Sequence, residues 1–205
     1  MLVNFFSLST GQQDDVKRLY NASFPDEERR AFDDLVTNAY NGEYELYAFV
    51  EGFVVEALVF LFTPKDMPYV LLDYFAVIPD KRGAGIGSRS FKVLVKKIQS
   101  SKRTLIMEVE DPSYGDDKTE KMRRIAFYLK NGADIIKEYD YVLPDLSGGI
   151  KSTKMKLMFS PTISYLDFDK LHTFITILFE KLYLRNQEDS ILKMNLENLR
   201  KTFKN

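Results

Sequence analysis

Residues 82 to 87 read Arg-Gly-Ala-Gly-Ile-Gly, a spacing suited to holding an anion. Small residues let the backbone come within hydrogen-bonding reach of a ligand. An apolar run, 69–78, enters this loop. A helix leaves it near Gly87, with Phe91, Leu94, Val95 and Ile98 at the i, i+3, i+4, i+7 spacing of a buried face. The first N–H groups of a helix have no partner inside it, and with the helix dipole they favour phosphate. Lys81, Arg82 and Arg89 add positive charge. Two nucleotide-binding fingerprints fail here. A P-loop needs Gly-Lys-Ser/Thr, but Gly87 is followed by Ser88 and Arg89. A dinucleotide site needs G-x-G-x-x-G at an early strand, whereas these glycines alternate and follow several strands.

Carboxylates are the second group with chemical potential. By strand alternation Asp73 shares a face with Leu71, Phe75 and Val77, where burial would suit it to accept a proton. Glu108 and Glu110 alternate with Met107 and Val109 and could receive a cation or act through water. The segment 24–30 holds Asp26, Glu27 and Glu28 between two helices and would suit an amine, or be a solvated turn.

Composition narrows the field. The chain has 205 residues, 45% hydrophobic and 29% charged, with a net charge of −1. That is an ordinary globular balance and gives no sign of a nucleic-acid or membrane surface. With no cysteine, disulfides, thiolate zinc sites and a cysteine-linked acyl intermediate are excluded, and a single histidine, His172, leaves no His-rich metal site. No metal is expected. The longest apolar stretch, 53–62, is interrupted by Glu56 and is strand-length, so no membrane span is expected and a cytoplasmic location is the default.

These residues must be carried by a definite order of elements. Residues 2–8 read as a strand, and Thr10 to Gln13 as a capping box opening a helix with Val16, Leu19 and Tyr20 inward. A second helix spans 32–40. Strands follow at 43–50, 53–62, 69–78 and, after the glycine loop and its helix, 104–110. A helix at 120–130 places Met122, Ile125, Ala126 and Leu129 at core spacing and stops at Asn131 and Gly132. An antiparallel pair, 135–142 and 154–159, is joined by a loop with Pro144, Gly148 and Gly149. Beyond Ser160, two helices carry apolar stripes, Leu171, Phe174, Ile175, Leu178, Phe179 and Leu182, then Leu192, Leu196, Leu199 and Phe203. Hairpins mixed with crossover helices indicate an α/β (α+β) fold.

Val77, Pro79, Arg82, Gly85 and Gly87 resemble motif A of the GNAT superfamily of acyl-CoA-dependent N-acyltransferases, V-x-P-x-x-(R/Q)-x-x-G-x-G. Arg123, Phe127, Tyr128 and Gly132 resemble the R-x-x-x-F-Y-x-x-x-G helix after the next strand. Ala133 departs from the Phe that many members carry there. The resemblance covers 1–159 and implies a small bacterial-type GNAT domain, with 160–205 as a C-terminal helical extension packed on the domain or on a partner in a homodimer. It implies a mixed, mostly antiparallel central sheet, splayed between its fourth and fifth strands and flanked by helices. It assigns Arg82, Gly83, Ala84, Gly85, Ile86, Gly87 and Ser88 to the coenzyme A pyrophosphate, and the strand backbone at Phe75, Ala76 and Val77 to the pantetheine arm. The co-substrate would be acetyl-CoA and the acceptor a small-molecule or peptide primary amine, attacked directly in a ternary complex. Tyr128 would be the general acid. The base would be Asp73, where some members carry a glutamate, with Glu108 or Glu110 next, and Glu28 and Glu110 would bind the amine. A lysine-like amine needs such help, because its neutral form at pH 7 costs about 4–5 kcal/mol. The other expectation is a non-catalytic acyl-CoA-binding or interaction module of the same fold.

Overall fold

A computed structural model describes residues 1–146, 149, 151–160 and 166–204, apart from the Glu27 side chain. Gly148 and the first residues of the C-terminal segment, 161–165, lie outside the described residues. The chain divides into two compact units, residues 1–65 with 70–103 and residues 66–69 with 104–205.

In the first unit β1 (Leu2–Asn4), β2 (Tyr44–Glu51), β3 (Val54–Phe62) and β4 (Tyr69–Val77) pair antiparallel in that order. β1 is shorter than expected, because Asn4 accepts a hydrogen bond from the Phe6 N–H and turns residues Phe5–Ser7 into a 3-10 turn. α1 (Thr10–Ser23) has the expected capping box, set one residue earlier on Ser9 and Gln12. α2 (Phe32–Tyr40) falls where its pattern places it. β3 is buried from Val55 to Phe62, so helices must cover both of its faces. Tyr20 of α1, Phe32 of α2 and Tyr74 of β4 close around Phe60 at ring distances of 5.5, 6.1 and 6.2 Å. α3 (Ile86–Ser100) buries Phe91, Leu94 and Ile98.

Two register shifts break the alternation of this sheet. Phe49 faces Ala57 and Val50 faces Val55, which leaves Glu56 unopposed. Phe60 faces Tyr74 and Leu61 faces Leu72, which leaves Asp73 unopposed. A bulge re-aims the side chain at the extra residue. Glu56, 5% exposed, meets Lys81 at 2.8 Å and Arg89 at 3.7 Å. The Lys81 hydrogen bond holds its carboxyl below the usual range.

In the second unit β5 (Thr104–Glu110) pairs with β8 (Ser152–Ser160), which also pairs with β6 (Asp134–Ile135) and β7 (Tyr141–Pro144), all antiparallel. The single strand expected at 135–142 is therefore two short ones, divided by a turn in which Glu138 takes a φ of 57°. Within each unit the pairing is antiparallel and helices lie against the strands, which bears out the α/β (α+β) class. The apolar stripe expected to bury α4 (Lys118–Lys130) does not. Met122 and Leu129 are 52% and 44% exposed, and Lys121 is buried instead. Two cations of the helix meet β5. Lys121 Nζ and Arg124 Nη1 lie 3.6 and 3.3 Å from the Glu110 carboxylate.

The first C-terminal stripe is buried as its spacing requires, and the second only in part, with Leu196 half-buried. α5 (Phe168–Ile177) continues through one π turn, Leu178–Leu182, and α6 (Ser190–Lys204) follows. Leu171, Phe174, Ile175, Leu178, Phe179, Leu182, Leu192 and Leu199 are buried, while Phe203 at the far end is 37% exposed. Tyr69 ties this segment down: its hydroxyl accepts from the Asp167 N–H at 3.1 Å and its ring meets Phe174 at 5.7 Å. Asn195, fully buried, completes the edge of β7, accepting from Val142 N–H at 2.9 Å and donating to Val142 C=O at 2.8 Å. None of the described helices is long and apolar enough to cross a membrane.

Two outcomes follow from this packing. Asn195→Ala strips two buried backbone groups of their partners and should cost about 2–4 kcal/mol in urea unfolding. Glu56→Gln should lower the urea midpoint at pH 7. A carboxyl with a depressed folded pKa stabilises above its unfolded value and loses that contribution as the pH falls through the folded one. The gap between the two proteins should thus close below the usual value of 4.5. A gap undiminished at pH 3 would mean that packing, not charge, was lost.

Candidate active site

β4 ends at Val77, and the chain passes through a 3-10 turn, Pro79–Lys81, before the glycines. Gly83 and Gly85 take φ values of 82° and 78°, the left-handed region that L side chains avoid. Nothing lies within 4 Å of where a Cβ would stand on either, so the requirement is for the turn and not for space. Gly85 is the N-cap of α3, and helix bonding begins with the Arg89 N–H to the Gly85 C=O at 3.0 Å. The amides of Ile86, Gly87 and Ser88 thus open the helix with no carbonyl one turn behind them. Arg82 is exposed, and its Nε donates to the Val77 carbonyl at 3.2 Å. Lys81 and Arg89 flank the loop, both drawn to Glu56. The expected cradle, Arg82 to Ser88, is therefore one local structure with oriented donors and positive charge. Phe75 and Ala76 pair with Val59 and Leu58 of β3, and the Phe75 ring lies 6.4 Å from Phe91 of α3.

Asp73 sits in a polar cluster. Its Oδ2 accepts from Tyr44 Oη at 2.7 Å and from Arg30 Nη1 at 3.0 Å, and its Oδ1 accepts from the same nitrogen at 3.3 Å. The Tyr74 hydroxyl donates to the Glu28 carbonyl at 3.0 Å and accepts from the Arg30 N–H at 3.2 Å. Tyr20 closes the cluster by donating to the Arg30 carbonyl at 3.0 Å. The segment between α1 and α2 is thereby pinned to β4. Glu28 joins through its backbone, with its side chain exposed. Burial pushes the Tyr44 and Tyr74 hydroxyls up, Asp73 adding to both shifts, so both remain donors.

In the second unit β5 carries Glu108 and Glu110 on one face, with different partners. Glu110 meets Lys121 and Arg124 of α4. Glu108 accepts from the hydroxyls of Tyr141 and Tyr183, the latter at 2.7 Å to Oε1 and 2.6 Å to Oε2. Tyr128 lies on α4 one turn beyond Arg124, half-buried, with Phe127 edge-on at 5.2 Å. Burial pushes its hydroxyl up to about 12, opposed by Arg124. Among the described residues no group of His, Cys, Asp and Glu could hold a metal ion.

The structure groups Asp73 with Glu28 in one unit, and Glu108, Glu110 and Tyr128 in the other. Their partners Arg30, Tyr44, Tyr74, Tyr141 and Tyr183 escape sequence reading, since each contact spans many residues of chain and none forms a motif. Glu56 had a visible signal, one charge inside an apolar strand.

No family model matches the chain, and no curated protein does. Solved structures do match. A protein from Bacteroides thetaiotaomicron assigned to the GNAT family of acetyltransferases superposes with a TM-score of 0.71 at 24% identity, covering 89% of this chain and 98% of that one. An aminoglycoside 6'-N-acetyltransferase complexed with coenzyme A gives 0.60 at 19% identity over 82% and 99% of the two chains. The ribosomal-protein-S18-alanine N-acetyltransferase of Escherichia coli gives 0.51 at 18% over 82% and 98%. At such identities the likeness speaks for architecture, and the chain has the fold of the GNAT acetyltransferases.

Proposed function

We propose that the chain is an N-acetyltransferase that moves an acetyl group from acetyl-CoA to a primary amine by direct attack in a ternary complex. The observation that carries this reading is the left-handed turn at Gly83 and Gly85, which presents the first amides of α3 beside Arg82. Those donors suit a pyrophosphate. Coenzyme A also fits the structural neighbour in which it is bound.

In the proposed reaction the amine nitrogen bonds to the thioester carbonyl carbon, the C–S bond breaks, and the amine gives up a proton. Tyr128 serves the leaving sulfur. A phenol held at about 12 is protonated throughout the working range. Complete transfer to a thiolate whose thiol lies near about 8.5 is uphill. Tyr128 therefore donates a hydrogen bond to the charge developing on sulfur, and as its proton passes to the thiolate the proton released by the amine returns to the phenol through water, so that coenzyme A leaves as the thiol. Glu108 or a water it holds is the acceptor assigned to that proton, since proton uptake at Asp73 would break its ion pair with Arg30. Asp73 then serves by fixing the segment between α1 and α2, and Glu110 by seating the helix that bears Tyr128.

One observation favours a second reading, a non-catalytic acyl-CoA-binding module. Asp73 and Glu108, the two carboxylates suited to take a proton, both already accept hydrogen bonds. Thiol release from acetyl-CoA over a panel of polyamines, aminoglycosides and lysine peptides separates the two. Turnover on one class supports the transferase, while coenzyme binding with no turnover supports the module.

With an active amine, Tyr128→Phe should lower kcat by about 100-fold and leave acetyl-CoA affinity unchanged. Because the phenol titrates so high, no alkaline fall in kcat from this group should appear below pH 10. Gly85→Ala has room for its Cβ but strains the turn by about 1–2 kcal/mol. It should weaken coenzyme A binding about tenfold by calorimetry.

A further inference from the structure

Positive charge is unevenly spread along this chain. Residues 81–103 hold eight Lys or Arg and no acid, while the whole chain holds 29 basic and 30 acidic residues. Four of the eight are engaged locally. Lys81 meets Glu56 at 2.8 Å, Arg89 stands 3.7 Å from the same carboxylate, Arg103 meets Glu45 at 2.8 Å, and Lys97 lies over the Tyr47 ring at 4.8 Å. Lys92 and Lys96 are exposed, and neither has an anionic partner among the described residues.

Arg89, Lys92 and Lys96 recur at i, i+3 and i+7, so they share the outer face of α3. At a rise of about 1.5 Å per residue the stripe runs for about 10 Å. It starts where the glycine turn ends, since Arg89 follows Ser88. Val93, 41% exposed, adjoins the cations and opens onto a cleft whose walls include Leu2, Phe49 and Val50. The two acids of that cleft, Glu51 and Glu56, act on Lys81.

A phosphate seated on the amides of Ile86, Gly87 and Ser88 lies at the head of this stripe. In coenzyme A a nucleotide follows the phosphates. In phosphopantetheine carried by a protein, the phosphate is esterified to a serine of the carrier, so the carrier's own surface must lie against the residues beside the turn. Cations there match an acidic surface, and Val93 with its cleft offers that surface apolar contact, as protein interfaces use. A nucleic-acid backbone would use the cations alone.

We propose that the outer face of α3 docks an acidic acyl carrier protein, whose phosphopantetheine thioester enters by the turn at Gly83 and Gly85 as a donor alongside acetyl-CoA. This rests on the acetyl-transfer reading of that turn. The neutral amine bonds through nitrogen to the thioester carbonyl carbon, the C–S bond breaks, and a proton from the amine ends on the sulfur. The carrier leaves with its thiol free and its serine–phosphate bond intact. Lys92 and Lys96 take no part in the transfer; they hold the carrier.

The test reverses both charges, Lys92→Glu with Lys96→Glu, at exposed positions, with urea unfolding to confirm an intact fold. The probes are coenzyme A and a bacterial acyl carrier protein in apo, holo and acetylated forms. By calorimetry the variant should bind the holo carrier about tenfold more weakly, and coenzyme A within about twofold of the unsubstituted protein. The apo carrier, which lacks the phosphate, should bind more weakly than the holo form. With the amine acetylated fastest from acetyl-CoA, the acetylated carrier should also be a donor, and kcat/KM for it should fall about tenfold in the variant. Holo carrier that fails to bind, or binds both proteins alike, overturns the proposal. So does a carrier that binds through these lysines yet donates nothing where acetyl-CoA does, or a face that takes RNA or phosphatidylglycerol vesicles instead of the carrier. If no amine is acetylated from acetyl-CoA, the transferase reading fails by itself, and calorimetry with the holo carrier decides the docking surface. Binding weakened by the two substitutions then upholds it, and binding indifferent to them, or absent, overturns it.

Discussion

The amides that open α3 point away from their own helix, and the chain is shaped to keep them so. Gly85 takes a left-handed φ to start the helix, Gly83 a second one to bring the chain around, and the buried Glu56 steadies the cations on either side. A charge as enclosed as Glu56 is costly unless it is paired and hydrogen-bonded. Lys81 and Arg89 meet that need, and they stand before and after the glycines. One buried carboxylate therefore stabilises the sheet and sets the charge around the loop.

The same economy governs the other acidic groups. Asp73 and Glu56 both stand at register shifts, where one extra residue turns a side chain away from simple alternation. Asp73 spends its charge on Arg30 and holds a surface segment to β4. Glu110 spends its charge on two cations of α4 and seats the helix that bears Tyr128. Glu108 accepts from the phenols of Tyr141 and Tyr183, both buried.

Much of this was legible in the sequence. The bounds of α2 and β5, the loop from Arg82 to Ser88 and the buried stripe of α5 follow from periodicity and from glycine spacing, which are local. The misread features are those set by distant contacts. A strand at 135–142 looks continuous until β8 pairs with its two ends separately. α4 carries apolar residues at core spacing, yet Met122 and Leu129 face outward and Lys121 is buried, its amine 3.6 Å from Glu110. Asp73 was assigned a face by alternation, and no local pattern announces the bulge beneath it or the Arg30 and Tyr44 that meet it. The Tyr183 clamp on Glu108 joins residues 75 apart in sequence.

The function rests on what the glycine turn holds, and amide-resolved NMR reads that directly. On titration with coenzyme A, the N–H signals of Gly83, Gly85, Ile86, Gly87 and Ser88 should shift together and saturate with one affinity. Dephosphorylated pantetheine, which lacks the pyrophosphate, should leave them in place. Saturable coenzyme binding that leaves those five amides unmoved, or no binding at all, would contradict the assignment of this turn as the phosphate cradle.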